Sequence, residues 1–278
     1  AGVNPVDAKI RSGGFARMLG VEPPFVPGLD VAGVVEETGA NVTKFTTGDA
    51  VYACLDVRRM GGYAEFAVAK ENEASPKPKN LNFDGAAAMP VAAGTAYQAL
   101  VQIANVSPGE TVLIHGAAGG VGTFAIQIAK ARGAKVIATA SGANQDFLKE
   151  LGADQTIDYQ ATKFEEVVKD VDVVLDSIGG ETLERSYGVV KKGGIIVTLV
   201  ETPDKAQLDA HGIRGRGFMA SPDTELLTEL TKLVEAKKLR PIVTKTYPLP
   251  EAGKAHEAIE TGHTRGKIVL RVADEPKG

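Results

Sequence analysis

The sequence predicts an α/β protein in two parts, a β-rich domain joined to a doubly wound parallel sheet. Three observations carry this expectation. Up to about residue 90, short apolar runs with period-two alternation are separated by Gly, Pro and Asn clusters. After Pro90, strand-like and helix-like segments alternate in the manner of βα units. Between the first strand and the first helix of that alternation lies a glycine-rich stretch, residues 115–122 (HGAAGGVG).

Taken in order, the chain opens on AGVNPVDAKI, in which Asn4-Pro5-Val6-Asp7 reads as a turn cluster at a strand's end. Residues 30–36 (DVAGVVE), 50–55 (AVYACL) and 63–69 (YAEFAVA) read as strands, and no helical patterning is expected in this part. Helical spacing then begins at 95–104. Strands are expected at 111–115, 135–140, 155–159, 171–177 and 195–200, with helices at 123–132, 147–151, 164–169 and 181–190 between them. The strand runs are continuously apolar, as strands covered on both faces must be. After 213–218 comes a helix over 223–237, and strand-like runs return at 242–247 and 267–272. The expected division is 1–92 with 238–278 as the β-rich domain, and 93–237 as the parallel-sheet domain.

Composition narrows the function. The 278 residues carry a net charge of -4 without a basic stripe, which argues against nucleic acid or an anionic membrane as partner. No apolar run approaches the ~18 residues that span a bilayer. Cys54 is the only cysteine, so no disulfide forms within the chain and a reducing compartment fits. The sequence reads as cytoplasmic, with a targeting segment ahead of Ala1 left open.

The glycine stretch is the strongest chemical signal. A strand, a glycine loop and an amphipathic helix in that order form a pyrophosphate cradle, because glycines allow a tight turn, close approach of backbone N–H groups and close helix packing. Dinucleotide binding is therefore expected. An NAD site carries Asp or Glu at the tip of the second strand, about 20 residues on. Here the tip reads Ala138-Thr139-Ala140-Ser141-Gly142-Ala143-Asn144, without an acid, so NADPH is expected over NADH. The absence of Lys or Arg there makes the preference modest.

Other candidates have plainer readings. His256, Glu260 and His263 fall at i, i+4 and i+7, but Gly262 would break such a metal-binding face. His115 is expected to be packed or hydrogen-bonded, and Cys54 to be inert within an apolar strand.

With these motifs in hand, the sequence resembles the zinc-independent branch of the medium-chain dehydrogenase/reductase superfamily. It is most similar to quinone oxidoreductases of the zeta-crystallin type and to plant alkenal/enone oxidoreductases. The resemblance rests on Gly2-Val3-Asn4-Pro5-Val6-Asp7-Ala8-Lys9, Val26-Pro27-Gly28-Leu29-Asp30-Val31-Ala32-Gly33, Gly61-Gly62-Tyr63-Ala64-Glu65, the glycine loop, Ile157-Asp158-Tyr159 and Asp176-Ser177-Ile178-Gly179-Gly180. It implies a GroES-like substrate domain, a Rossmann domain and an active-site cleft between them. It also implies that N-terminal strands, roughly 30–40 residues at ordinary lengths, precede the first segment in relatives.

The resemblance assigns Thr95 to the nicotinamide, and Ala118, Gly119, Gly120, Val121 and Gly122 to the pyrophosphate. Ser141 and Tyr159 match positions near the adenosine 2′-phosphate, while Ile178, Gly179, Leu199 and Val200 match the groove lining. Asn4 and Lys9 are the expected catalytic contacts. Zinc-dependent relatives use Cys and His where this chain has Asn4 and Leu29, and no metal is expected. The implied activity is NADPH-dependent reduction of a quinone or an α,β-unsaturated carbonyl, by a homodimer acting on a small molecule. A cofactor-binding, non-catalytic relative is the alternative.

Overall fold

The structure, a computed structural model, describes residues 1–274. The last four residues assigned above to the β-rich domain lie outside the described residues. The chain forms two compact units, Ala1–Gly94 together with the segment from Ser221 onward, and Thr95–Ala220.

The first unit begins with β1 (Gly2–Val3), α1 (Pro5–Arg11), α2 (Gly14–Leu19), β2 (Asp30–Val34), β3 (Ala50–Cys54), β4 (Ala74–Pro76) and α3 (Phe83–Ala87). Helix α4 (Pro90–Tyr97) leads into the second unit and runs on in a wider π-type turn over Gln98–Ile103. The helices α1, α2 and α3 depart from the expectation of a part without helices. The Asn4-Pro5 cluster is a helix start rather than a turn. Asn4 is extended and precedes Pro5, whose fixed φ and missing N–H suit the first helical position, and the Asn4 N–H donates to Asp7 Oδ2 at 2.8 Å. The expected strand 63–69 is also absent. Its backbone pairs with no described strand, and Phe66 and Val68 are exposed. Alternation alone does not make a strand where no ladder partner satisfies the backbone.

The second unit follows the predicted alternation: β5 (Thr111–Ile114), α5 (Gly120–Ala131), β6 (Lys135–Ala140), α6 (Gln145–Glu150), β7 (Gln155–Asp158), α7 (Phe164–Val167), β8 (Val171–Asp176), α8 (Glu181–Ser186), β9 (Val190–Thr198), α9 (Lys205–His211) and β10 (Arg214–Gly217). All its strand pairs are parallel, in the order β10-β9-β8-β5-β6-β7. Val112, Leu113 and Ile114 are fully buried, which accounts for the unbroken apolar run of β5. Strand order reverses direction at β5, so the loops after β5 and β8 diverge and leave a crevice at the carboxyl ends.

The chain then returns with α10 (Thr224–Glu235), β11 (Val243–Pro248), α11 (Ala252–Glu260) and β12 (Lys267–Arg271). These complete the first sheet, ordered β11-β12-β1-β2-β3-β4. Helix α10 was expected in the parallel-sheet domain, and the structure places it in the first unit instead. Its Leu226, Leu227, Leu230 and Val234 are buried; Tyr52 donates to the Leu227 carbonyl at 2.5 Å, and Thr224 Oγ1 to the Ala74 carbonyl at 2.7 Å. An apolar stripe shows that a helix must be covered, without showing by which sheet.

Candidate cofactor site

The glycine loop joins β5 to α5 at the reversal of strand order. Gly116 turns the chain at φ +67°, and a Cβ there would meet Ser177 Oγ at 2.4 Å. Gly122 lies against the loop itself: a Cβ would come within 2.5 Å of the Ala117 Cα. The loop is tied to the next strand by the Ala117 N–H, which donates to the Thr139 carbonyl at 3.1 Å. The opening N–H groups of the 12-residue α5, at Gly120, Val121 and Gly122, have no carbonyl one turn earlier within the helix. They make a cradle for an anion, and the helix dipole favours negative charge there. The loop therefore fits the pyrophosphate of a dinucleotide.

His115 anchors this end of the sheet. Ser186 Oγ donates to the Thr182 carbonyl at 2.6 Å, so it accepts from His115 Nε2 at 3.1 Å. That leaves Nδ1 as the acceptor of the Thr139 hydroxyl at 3.0 Å. Burial, with the Arg185 charge acting the same way, lowers the His115 pKa to about 3, so the ring is neutral and structural. This agrees with the packed, hydrogen-bonded role expected for it.

The remaining cofactor candidates of the second unit follow strand ends. After β6, Ser141 Oγ accepts from Asn144 Nδ2 at 3.0 Å, which leaves the hydroxyl hydrogen to donate elsewhere. Tyr159 follows β7 and is exposed, as are Ile178 after β8 and Val200 after β9; Leu199 is half-buried. Between them, the buried Asp176 carboxylate holds the β8 turn, accepting from the Ile178 and Gly179 N–H groups and from Thr198 Oγ1. Exposed large apolar side chains gathered at the carboxyl ends of a parallel sheet mark a ligand surface. Thr95 is buried on α4. Asp158, Asp176 and Thr139 were missed as site residues. Asp158 and Asp176 stood inside motifs already singled out, but nothing in the sequence told which way their carboxylates turn.

The two expected catalytic residues lie in the first unit in different settings. Asn4 is 2% exposed, and its amide is used at both ends: Nδ2 donates to Asp30 Oδ2 at 2.9 Å and Oδ1 accepts from Lys267 Nζ at 2.5 Å. These two bonds fix the orientation of the Asn4 amide within the first unit. Lys9 is exposed on α1, with no ion pair among the described residues, and borders a shallow recess of about 290 Å³ with Pro5, Ala8, Ser12, Ile259 and Glu260.

The Asn4 network continues inward. Asp7 is fully buried; its Oδ2 accepts from the Asn4 N–H and, at 3.0 Å, from the Tyr63 hydroxyl, while Oδ1 has no partner. Burial raises the Asp7 pKa to about 7, and the nearby Asp30 charge pushes the same way. His256 Nε2 lies 3.3 Å from the Tyr63 hydroxyl, and burial lowers its pKa. The sequence spacing of His256, Glu260 and His263 does not become a metal face. His256 packs edge-on against Tyr63, Glu260 pairs with Arg11 at 2.6 Å, and His263 lies beyond α11. Cys54 is buried and its thiol pKa is pushed well up by burial, consistent with the inert reading. Leu29 packs with Ile10, Ala16 and Met60.

A GroES-like β-rich unit and a parallel sheet with a dinucleotide-type loop define an oxidoreductase of the dehydrogenase kind, and comparison with known proteins agrees. Residues 1–79 match the alcohol dehydrogenase GroES-like domain family and residues 151–270 the zinc-binding dehydrogenase family. The chain is 37% identical to a mitochondrial NAD(P)H oxidoreductase of Mus musculus, over 98% of this chain and 80% of the relative. It is 36% identical to the chloroplastic NADPH-dependent alkenal/one oxidoreductase of Arabidopsis thaliana, over 97% of this chain and 69% of the relative. The quinone oxidoreductase structure from Coxiella burnetii superposes with a TM-score of 0.91 at 39% identity, covering 98% of this chain and 88% of that one. The chain belongs to the medium-chain dehydrogenase/reductase superfamily, in the company of quinone oxidoreductases and alkenal/enone reductases. Among the described residues, no helix is long and apolar enough to cross a membrane.

Proposed function

We propose that this protein is an NADPH-dependent reductase that delivers hydride to a quinone or to the β-carbon of an α,β-unsaturated carbonyl, without zinc. The observation that carries the reading is the Gly116–Gly122 cradle at the end of β5, with exposed Tyr159, Ile178 and Val200 following the ends of strands β7, β8 and β9 of the same sheet. Bound NADPH supplies the hydride, so the protein's work is positioning and polarisation. Gly119, Gly120, Val121 and Gly122, with Ala118 behind them, hold the pyrophosphate. Ser141 donates its hydroxyl hydrogen, and Tyr159 its ring, toward the adenosine end. Ile178, Gly179, Leu199 and Val200 line the groove for the nicotinamide half, which Thr95 faces. Lys9 is the donor that stabilises the charge developing on the acceptor's oxygen. The small-molecule substrate, the homodimer and action away from membranes belong to the same reading.

The test is NADPH oxidation with a panel of benzoquinones and short enones, with product analysis showing saturation of the C=C bond for the enones. Tight NADPH binding without turnover on any acceptor would instead favour the cofactor-binding, non-catalytic alternative.

A further inference from the structure

The acid that β6 lacks at its tip arrives from the neighbouring strand. Strands β6 and β7 run parallel with Ala140 paired to Asp158, which puts Asp158 beside the residue that leads into Ser141. Its carboxylate is held by local bonds: Oδ1 accepts from the Gln160 N–H at 3.0 Å, and the backbone turns tightly there, with the Asp158 carbonyl accepting from Thr162 N–H at 2.9 Å. The other oxygen faces the β6 tip. A Cβ on Gly142 would stand 2.7 Å from Asp158 Oδ2, so glycine at 142 is what lets the carboxylate reach this place. No ion pair engages Asp158 among the described residues, and residues 136–148 contain no Lys or Arg to offset it.

In a dinucleotide fold the adenosine ribose lies at the tip of the second strand, where a carboxylate accepts from ribose hydroxyls and repels a 2′-phosphate. We propose that Asp158 narrows the cofactor selectivity of this protein, opposing the 2′-phosphate of NADPH and accepting a hydrogen bond from the 2′-hydroxyl of NADH. The preference for NADPH is then narrow because Ser141 and Asp158 act in opposite directions. This rests on the reading of the loop as an NAD(P) site.

The experiment is calorimetric titration of the full chain with NADP⁺ and with NAD⁺, which needs no turnover, before and after Asp158→Asn. The neutral amide keeps an acceptor for the Gln160 N–H. The expected result is ~10-fold tighter NADP⁺ binding, with NAD⁺ unchanged or weakened a few-fold, as for removal of one like charge near the phosphate. The gain should shrink in 0.5 M salt, where charge is screened and shape is not. Asp158→Ser, which also keeps a short acceptor, should repeat the result if the amide variant folds poorly. Equal changes for both nucleotides, or none, would overturn the assignment and leave Asp158 as a turn residue. If the unaltered chain binds neither nucleotide, the NAD(P) reading itself fails, which is a separate outcome.

Discussion

Lys9 and Asp7 lie two residues apart in the sequence and on opposite sides of the solvent boundary. Lys9 is exposed, and in the proposed reaction it donates to an enone oxygen as hydride adds. Transition-state stabilisation of that kind is worth roughly 3–4 kcal/mol for a well-placed donor. Lys9→Ala should therefore lower kcat on short enones by ~100-fold and affect quinones much less, since a quinone product is already a good electron sink. Equal small losses on both acceptors would reduce Lys9 to a surface residue. Asp7 carries a different prediction. Its pKa rises from an ordinary carboxylate value to about 7 because burial disfavours the charge. The folded state thus binds the proton more tightly than the unfolded chain does. The contribution to stability is fully present below the unfolded pKa and is lost as pH rises through about 7. Asp7→Asn removes that term, so the variant should gain on the unaltered protein between pH 5 and pH 8. Urea unfolding at both pH values measures it, and a relative loss at pH 8 would contradict the buried, protonated acid.

At the scale of elements, the β5–α5 junction is the least tolerant part of the site. Gly122→Ala would drive a methyl into backbone atoms of Ala117 and the Gly116 carbonyl, 2.5 Å away in each case. Backbone cannot step aside as a side-chain tip can, so the loop must open and the N–H groups of α5 turn away from the anion. NADP⁺ affinity should fall by ~100-fold or more by calorimetry, since a misaligned charge-assisted donor set loses most of its strength. Retained affinity would place the phosphates elsewhere. Helix α10 shows the same point for packing. Its leucine stripe was legible as a helix, but Tyr52 and Thr224 bind it to β3 and β4.

Across the whole molecule, the chain leaves the first unit at Gly94, completes a contiguous parallel-sheet unit and returns at Ser221 to close the first sheet with β11 and β12. One thiol serves the entire chain, and it is buried with a raised pKa. Although residues 151–270 match a family described as zinc-binding, the positions that would hold zinc carry an amide bound to Asp30 and Lys267 and an aliphatic Leu29 in a core cluster. Reductase activity should therefore survive prolonged treatment with a strong chelator. Activity lost with chelation and restored by added zinc would reverse that reading.

Sequence alone determined the parallel-sheet unit, because strands buried on both faces and helices with an apolar stripe write their periods directly into the residue order. It also determined the glycine loop, where close approach of backbone to backbone admits no other side chain at Gly122. Tertiary structure alone decided what depends on partners distant in the chain. The segment 63–69 alternates like a strand yet finds no ladder partner, and α10 was assigned to the wrong sheet. The partners that orient the Asn4 amide, Asp30 and Lys267, stand 26 and 263 positions away and are joined to it only by the fold. The acid missing from the β6 tip was visible as Asp158 all along. Only the pairing of β6 with β7 brought it there, because a local pattern records which face must be buried and not which neighbour will cover it.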